Sequence, residues 1–190
     1  MKTVSIIEDD DLIRESYAII INGSEEFKLR SSYKSYEEFA STIEAPITDM
    51  ILVDIGLPGL NGIAATKLIK KEWPQIEIII ISVNDDSKLI FEAMKNGASG
   101  FISKSSNNFE LIQSLREIGE GQAIMNPKIA HLVMEYFPVS NETLALNETF
   151  ILKLLSLGKT YVQIAQQLQI TKEAVKINLS RIYKKLQSLS

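Results

Sequence analysis

The chain has 190 residues, 45% hydrophobic and 23% charged, which suits one large domain or two small ones with a buried core. It contains no cysteine, so disulfides, thiolate metal sites and thiol redox chemistry are excluded. No apolar run approaches the roughly 18 residues of a membrane span, and the opening "MKTVSIIEDDD" meets carboxylates too early for a secretory signal, so a cytoplasmic protein with no membrane partner is expected. The net charge of −4 is unevenly spread: residues 1–140 hold 13 Lys and Arg against 21 Asp and Glu, a balance of −8, while residues 141–190 hold 7 against 3, a balance of +4. An acidic body with a basic end points to two modules, the second facing a polyanion.

In chain order, short apolar runs alternate with helical patterns. Strands are predicted at Thr3–Ile7, Lys28–Tyr33, Met50–Val53, Ile76–Ile81 and Gly100–Ile102, and helices at Leu12–Ile21, Tyr36–Ile43, Ala64–Glu72, Lys88–Lys95 and Glu110–Ile118. "MILVD" and "IEIIIIS" are nearly continuous apolar runs, as strands covered on both faces require. The alternation predicts an α/β fold with a five-stranded, doubly wound parallel sheet. Near Gly119 the texture changes. Asn126-Pro127 starts one helix, with Ile129, Leu132, Val133 and Tyr136 at helical spacing, and "PVSNET" reads as a polar linker. From Leu144 onward the pattern is all helical, with turns at Leu157-Gly158-Lys159 and Gln169-Ile170-Thr171. The expected division is 1–121, 122–143 and 144–190.

Ligands of an open parallel sheet bind beyond the carboxyl ends of its strands. The first strand ends there in Glu8-Asp9-Asp10, the third in Asp54, the fourth in Ser82, and the fifth runs into Lys104. Singly these have modest explanations: Asp10 suits a helix cap, Ser82 a turn, and Asp54 either. Together they make a site. Clustered carboxylates call for a neutralising cation, and hard oxygen donors that leave room for water suit Mg2+. Neither His nor Cys is nearby; the only histidine, His131, is expected at the surface or in a structural role. Mg2+ and Lys104 would stabilise a phosphoryl group on Asp54, with Ser82 donating to the same oxygens. An aspartyl-phosphate hydrolase of the haloacid-dehalogenase type wants a second acid two residues after its nucleophile, and Gly56 stands there instead.

At these positions the sequence resembles the receiver domain of bacterial response regulators, a flavodoxin-like fold. The resemblance covers about residues 1–120 and rests on "IIEDDD", "VDIGLPGLNG", "IIIIS" and "GASGFISK", in the family's order and spacing. It implies that Asp54 accepts a phosphoryl group from a sensor histidine kinase. It also implies Mg2+ held by Asp9, Asp54 and the Gly56 carbonyl, with Glu8 acting through water, and Phe101 as an aromatic switch that follows Ser82. Such a chain is a regulator rather than an enzyme, apart from self-catalysed transfer to Asp54 and hydrolysis there. Val83, after Ser82, is larger than the residue usual at that place and bears on phosphoryl access.

In the basic end, "QIAQQLQITKEAVKINLSRIYKKL", a helix is predicted from a Thr171 cap to Leu186, with Val175, Leu179, Ile182 and Leu186 as its buried stripe. Ile177 then points away, among Glu173, Ser180, Arg181 and Lys184, with Lys176 at the border. The segment resembles the helix-turn-helix of the NarL/FixJ subfamily, also called LuxR-type. That likeness implies duplex DNA as partner, with Lys176 and Ile177 reading bases, Lys172 and Arg181 nearer the phosphates, and Ser180 and Lys184 on the same face. The family's fourth helix has no counterpart in Gln187–Ser190. A homodimer is therefore expected through the receiver or the linker helix. The alternative reading makes the short helical module a protein-interaction unit that does not bind DNA.

Overall fold

A computed structural model of the chain describes residues 1–41, 48–83, 86–137 and 144–188; the "PVSNET" linker lies outside them. Among the described residues, the N-terminal part is five strands and five helices in strict alternation: β1 (Lys2–Ile7), α1 (Asp11–Asn22), β2 (Phe27–Tyr33), α2 (Tyr36–Ala40), β3 (Met50–Asp54), α3 (Gly62–Glu72), β4 (Glu77–Ser82), α4 (Ser87–Lys95), β5 (Gly100–Ser103) and α5 (Asn108–Gly119). All pairings are parallel, in the order β2-β1-β3-β4-β5. The fold class is the one expected. β1 lies between β2 and β3, so the strand order reverses there and opens a crevice at the carboxyl ends.

Side chains alternate across this sheet with period two. Val4, Ile6, Met50, Leu52, Ile79 and Ile81 face one way and meet Tyr17 and Ile21 of α1 and Leu111, Leu115 and Ile118 of α5. Ile7, Ile51, Val53, Ile78 and Ile80 face the other way and meet Phe39, Ala65, Ile69, Ile90 and Met94 of α2, α3 and α4. Both faces are dry, which explains the unbroken apolar runs.

Three strands run one residue past their predicted carboxyl ends, β3 to Asp54, β4 to Ser82 and β5 to Ser103. Asp54 closes β3 opposite Ile81, and Ser82 closes β4 opposite Ser103, so both polar residues are still in the ladder. Helix α2 ends at Ala40; the end predicted for it at Ile43 falls outside the described residues.

The second half comprises α6 (Pro127–Tyr136), α7 (Leu146–Ser156), α8 (Tyr161–Leu168) and α9 (Lys172–Ser188). Pro127 follows an Asn126 cap, Thr160 and Gln163 form a capping box, and Gly158 and Gln169 take left-handed φ of 80° and 55° at the two expected turns. Thr171 accepts from Ala174 N at 3.0 Å, as a cap should. Val175, Leu179, Ile182 and Leu186 are fully buried. The Glu148 carboxylate, buried in α7, accepts from Ala145 N and pairs with Lys185 of α9, both at 2.7 Å. Helix α6 packs on α7 and α4, so the buried cluster on the α3–α4 side runs without a break into the C-terminal helices.

Gly62, the first residue of α3, sits hard against the end of β3: a Cβ there would lie 2.1 Å from the Asp54 carbonyl oxygen and 2.8 Å from Ile55 Cα. Backbone must move to admit it, and overpacking of this kind costs about 1–3 kcal/mol. Gly62→Ala should therefore lower the thermal midpoint by several degrees; a melt identical to the parent would contradict the close approach.

Candidate functional site

At the carboxyl edge of the sheet, three strand ends deliver charged groups to one place. Glu8 follows β1 and is fully buried, Asp54 ends β3 at 5% exposure, and Lys104 follows β5. The Lys104 ammonium lies 2.9 Å from Glu8 Oε1, 2.7 Å from Oε2 and 3.2 Å from Asp54 Oδ2. Among the described residues only Oε1 receives a hydrogen bond of good direction, which leaves Oε2 buried with a charge beside it and no hydrogen-bond donor. Burial pushes the Glu8 carboxyl above its ordinary value, and the charge of Asp54 adds to this against the opposing pull of Lys104. Burial alone would lower Lys104, but the hydrogen bond to Glu8 and the charges of Asp54 and Glu8 outweigh it and hold the ammonium above its ordinary value.

Asp9 completes the set from the solvent side: one oxygen each of Glu8, Asp9 and Asp54 lie within 4.8 Å of one another. A Cβ at Gly56 would stand 3.5 Å from Asp54 Oδ2, so the glycine leaves that flank of the carboxylate open. Three carboxylates, an orphaned buried oxygen and no nitrogen or sulfur donor fit a hard divalent cation such as Mg2+. Asp10 takes the modest role: its carboxylate caps α1 by accepting from Leu12 N at 2.9 Å and Ile13 N at 3.0 Å. Ser82 is buried at the end of β4, and Lys104 N donates to its carbonyl at 2.8 Å. Phe101 is half-buried against the α3–α4 side of the core. Val83 is 70% exposed. His131 is exposed, 3.4 Å from Glu135.

One residue of this edge was missed in the sequence. Arg14, a turn into α1, sends its guanidinium back to the acidic loop and donates to Glu8 O at 2.8 Å and Asp9 O at 3.4 Å. The only sequence signal for it was an arginine one helical turn after the acidic triplet.

On α9, Lys172, Ile177, Arg181 and Lys184 are exposed as expected. Lys176 and Ser180 are placed differently. Lys176 is 6% exposed, with its ammonium 2.7 Å from Gln122 Oε1 and 3.0 Å from Glu117 Oε1 of α5. The Ser180 hydroxyl accepts from Ala123 N at 3.0 Å and donates to Gly121 O at 2.8 Å. The reason is the segment Gly121–Met125, which lies along α9 and is further held by Tyr183 Oη on Ile124 O and Tyr161 Oη on the Met125 backbone. Burial raises the Glu117 carboxyl, but the hydrogen bonds from Gln113 and Lys176 prevail and hold it below its ordinary value. A depressed carboxyl stabilises fully above the ordinary pKa of about 4.3 and loses that contribution only as pH falls through the lowered value. The contact with Lys176 is thus complete at neutral pH.

Residues 4–116 match the family of response regulator receiver domains, and residues 142–190 match the bacterial regulatory proteins of the luxR family. Transcriptional regulatory protein DegU of Brevibacillus brevis is 28% identical over 96% of this chain and 86% of its own length. Oxygen regulatory protein NreC of Staphylococcus epidermidis is 26% identical over 98% and 91%. Among solved structures, a LuxR-family response regulator from Aurantimonas sp. superposes with a TM-score of 0.64 at 27% identity, covering 74% of this chain and 99% of that one. The RcsB response regulator of Salmonella typhimurium shares the fold at 16% identity, with a TM-score of 0.62 over 100% and 93%. These matches favour a helix-turn-helix regulator over the protein-interaction unit for the C-terminal helices. With a receiver over residues 4–116 and a LuxR-type helix-turn-helix after it, the chain belongs to the two-component response regulators of the NarL/FixJ subfamily.

Proposed function

We propose that a sensor histidine kinase phosphorylates Asp54, and that this frees α9 to bind duplex DNA and regulate transcription. The observation that carries the first half is the Lys104 ammonium held between the buried carboxylates of Glu8 and Asp54. In the transfer, an Asp54 oxygen attacks the phosphorus of a phosphohistidine; the P–O bond forms, the P–N bond breaks, and the imidazole leaves with the electron pair and takes a proton. Lys104 turns from the carboxylates to the incoming phosphoryl oxygens, and the Ser82 hydroxyl donates to them. Asp9, Asp54 and the Gly56 carbonyl, with Glu8 through water, would hold Mg2+, which would supply positive charge against the repulsion between phosphoryl group and carboxylates.

The second half rests on Lys176. A side chain that reads a base edge cannot at the same time sit between Glu117 and Gln122. Once Ser82 and Phe101 respond to the phosphoryl group, the β4–β5 side of the receiver repacks, and α4, which touches both α6 and α9, transmits the change. Lys176 and Ile177 then contact bases, with Lys172, Ser180, Arg181 and Lys184 nearer the backbone. Dimerisation belongs to the receiver in this reading, because α6 spends Ile129 and Val133 on packing within the chain.

With a small-molecule phosphodonor and Mg2+, the parent protein should gain one phosphoryl group and Asp54→Asn none; undiminished labelling of the variant would remove Asp54 from its role. Glu117→Gln should raise the affinity of the unphosphorylated chain for duplex DNA by about 5-fold or more, the low end of ordinary coupling energies. In the phosphorylated chain, Lys176→Ala and Ile177→Ala should each cost about 1–3 kcal/mol on the preferred site, whereas Arg181→Ala should weaken all sequences alike and flatten the salt dependence. Titrations by fluorescence anisotropy at several salt concentrations separate these outcomes. No binding of duplex DNA in either phosphorylation state would end the proposal.

A further inference from the structure

We infer that Arg14 is a positioning residue of the cation site: it fixes the main chain of the Glu8–Asp9 turn so that Asp9 is presented to Asp54. The inference rests on the proposed reading of Glu8, Asp9 and Asp54 as a Mg2+ site.

The three carboxylates of that site are held very differently. Asp54 is fixed as the last residue of a central strand, and Glu8 is buried against Lys104. The Asp9 side chain is exposed, and among the described residues its carboxylate has no hydrogen-bond partner. Only its backbone can set its direction. Beyond Glu8 N, which still donates to Tyr33 O at 3.0 Å, that backbone leaves the sheet. The two carbonyls that follow, of Glu8 and Asp9, both receive the Arg14 guanidinium through the same nitrogen, at 2.8 and 3.4 Å. Arg14 is itself immobilised. Its side chain is 13% exposed, its second terminal nitrogen bonds Asp11, and Asp11 is in turn paired with Lys34 at 3.0 Å. The planar, permanently charged fork of arginine suits this task, because it serves two carbonyls and a carboxylate from one rigid plane. With both main-chain oxygens turned to Arg14, they are withdrawn from the cation, and this turn offers it only the side chains of Glu8 and Asp9.

A second role for the same residue makes the opposite prediction. If Arg14 acted only as a positive charge near an acidic cluster, it would compete with Mg2+, and its removal would tighten Mg2+ binding. Groups that orient metal ligands typically change metal affinity by 10- to 100-fold when removed. The sign of the change therefore separates positioning from charge.

The test is isothermal titration of MgCl2 into the unphosphorylated full-length chain, together with the Mg2+ dependence of phosphorylation by a small-molecule donor. Arg14→Met, which keeps the apolar stem and removes every donor, should bind Mg2+ at least about 10-fold more weakly. It should need proportionately more Mg2+ for half-maximal labelling and reach the parental rate at saturation. Arg14→Lys, which retains charge and one carbonyl contact, should fall between. Equal or tighter Mg2+ binding by a folded Arg14→Met protein overturns the inference. If that variant fails to fold, Arg14→Lys decides alone: parental affinity overturns the inference, and a several-fold loss supports it. Failure of the parent chain itself to bind Mg2+ would reject the cation site and the role of Arg14 together.

Discussion

The Lys104 ammonium between Glu8 and Asp54 holds the functional edge of this protein together. Three strands that are remote in sequence end there, and like charges would drive their ends apart in a medium of low dielectric. One cation from β5 makes the arrangement tolerable, but it is one positive charge facing two buried carboxylates, with Asp9 waiting outside and one Glu8 oxygen without a donor. The edge is therefore electrostatically under-compensated by design of its residues, and a divalent cation or a phosphoryl group changes its balance directly. That is the physical sense in which the site is responsive: its resting state is satisfied only in part.

The response has a short route outward. Ser82 and Phe101 stand on β4 and β5, the strands that α4 connects, and α4 packs on both the linker helix α6 and the basic helix α9. The buried cluster is continuous from Ile78 and Ile80 in the sheet through Ile90 and Met94 to Val133, Ile151 and Leu179. Close-packed interiors transmit displacement because they have no slack in which to absorb it. A shift of α4 is thus felt by the helices that carry the basic end.

The charge asymmetry of the chain gives the resting contact its specificity. The body carries −8 and the last fifty residues +4, so the basic helix finds within its own molecule the kind of partner that a DNA backbone would offer. Glu117 and Gln122 take Lys176, and the carbonyl of Gly121 takes Ser180. Lys172, Arg181 and Lys184 stay exposed, which leaves the outer charge of α9 available for long-range attraction to a polyanion while two inner residues are engaged.

The sequence by itself determined the sheet, the alternation of its faces, the acidic edge and the buried stripe of α9, because each is written in local periodicity or in residue type at a strand end. Val175, Leu179, Ile182 and Leu186 could be assigned to the core from spacing alone, and Asp54 from its place after an apolar run. Tertiary structure decided what spacing cannot reach. Glu117 and Lys176 are a whole domain apart in the chain, and nothing in either segment announces their contact; it exists because Gly121–Met125 happens to run along α9, where Tyr161 and Tyr183 bind its carbonyls. Arg14 is, by sequence, one charge on a helix that follows the acidic triplet, and only the fold turns it back onto the carbonyls of Glu8 and Asp9. Side-chain periodicity reports which way a residue points on its own element, whereas a hydrogen bond to a distant main chain depends on where that chain passes, and that is set by the packing of the whole molecule.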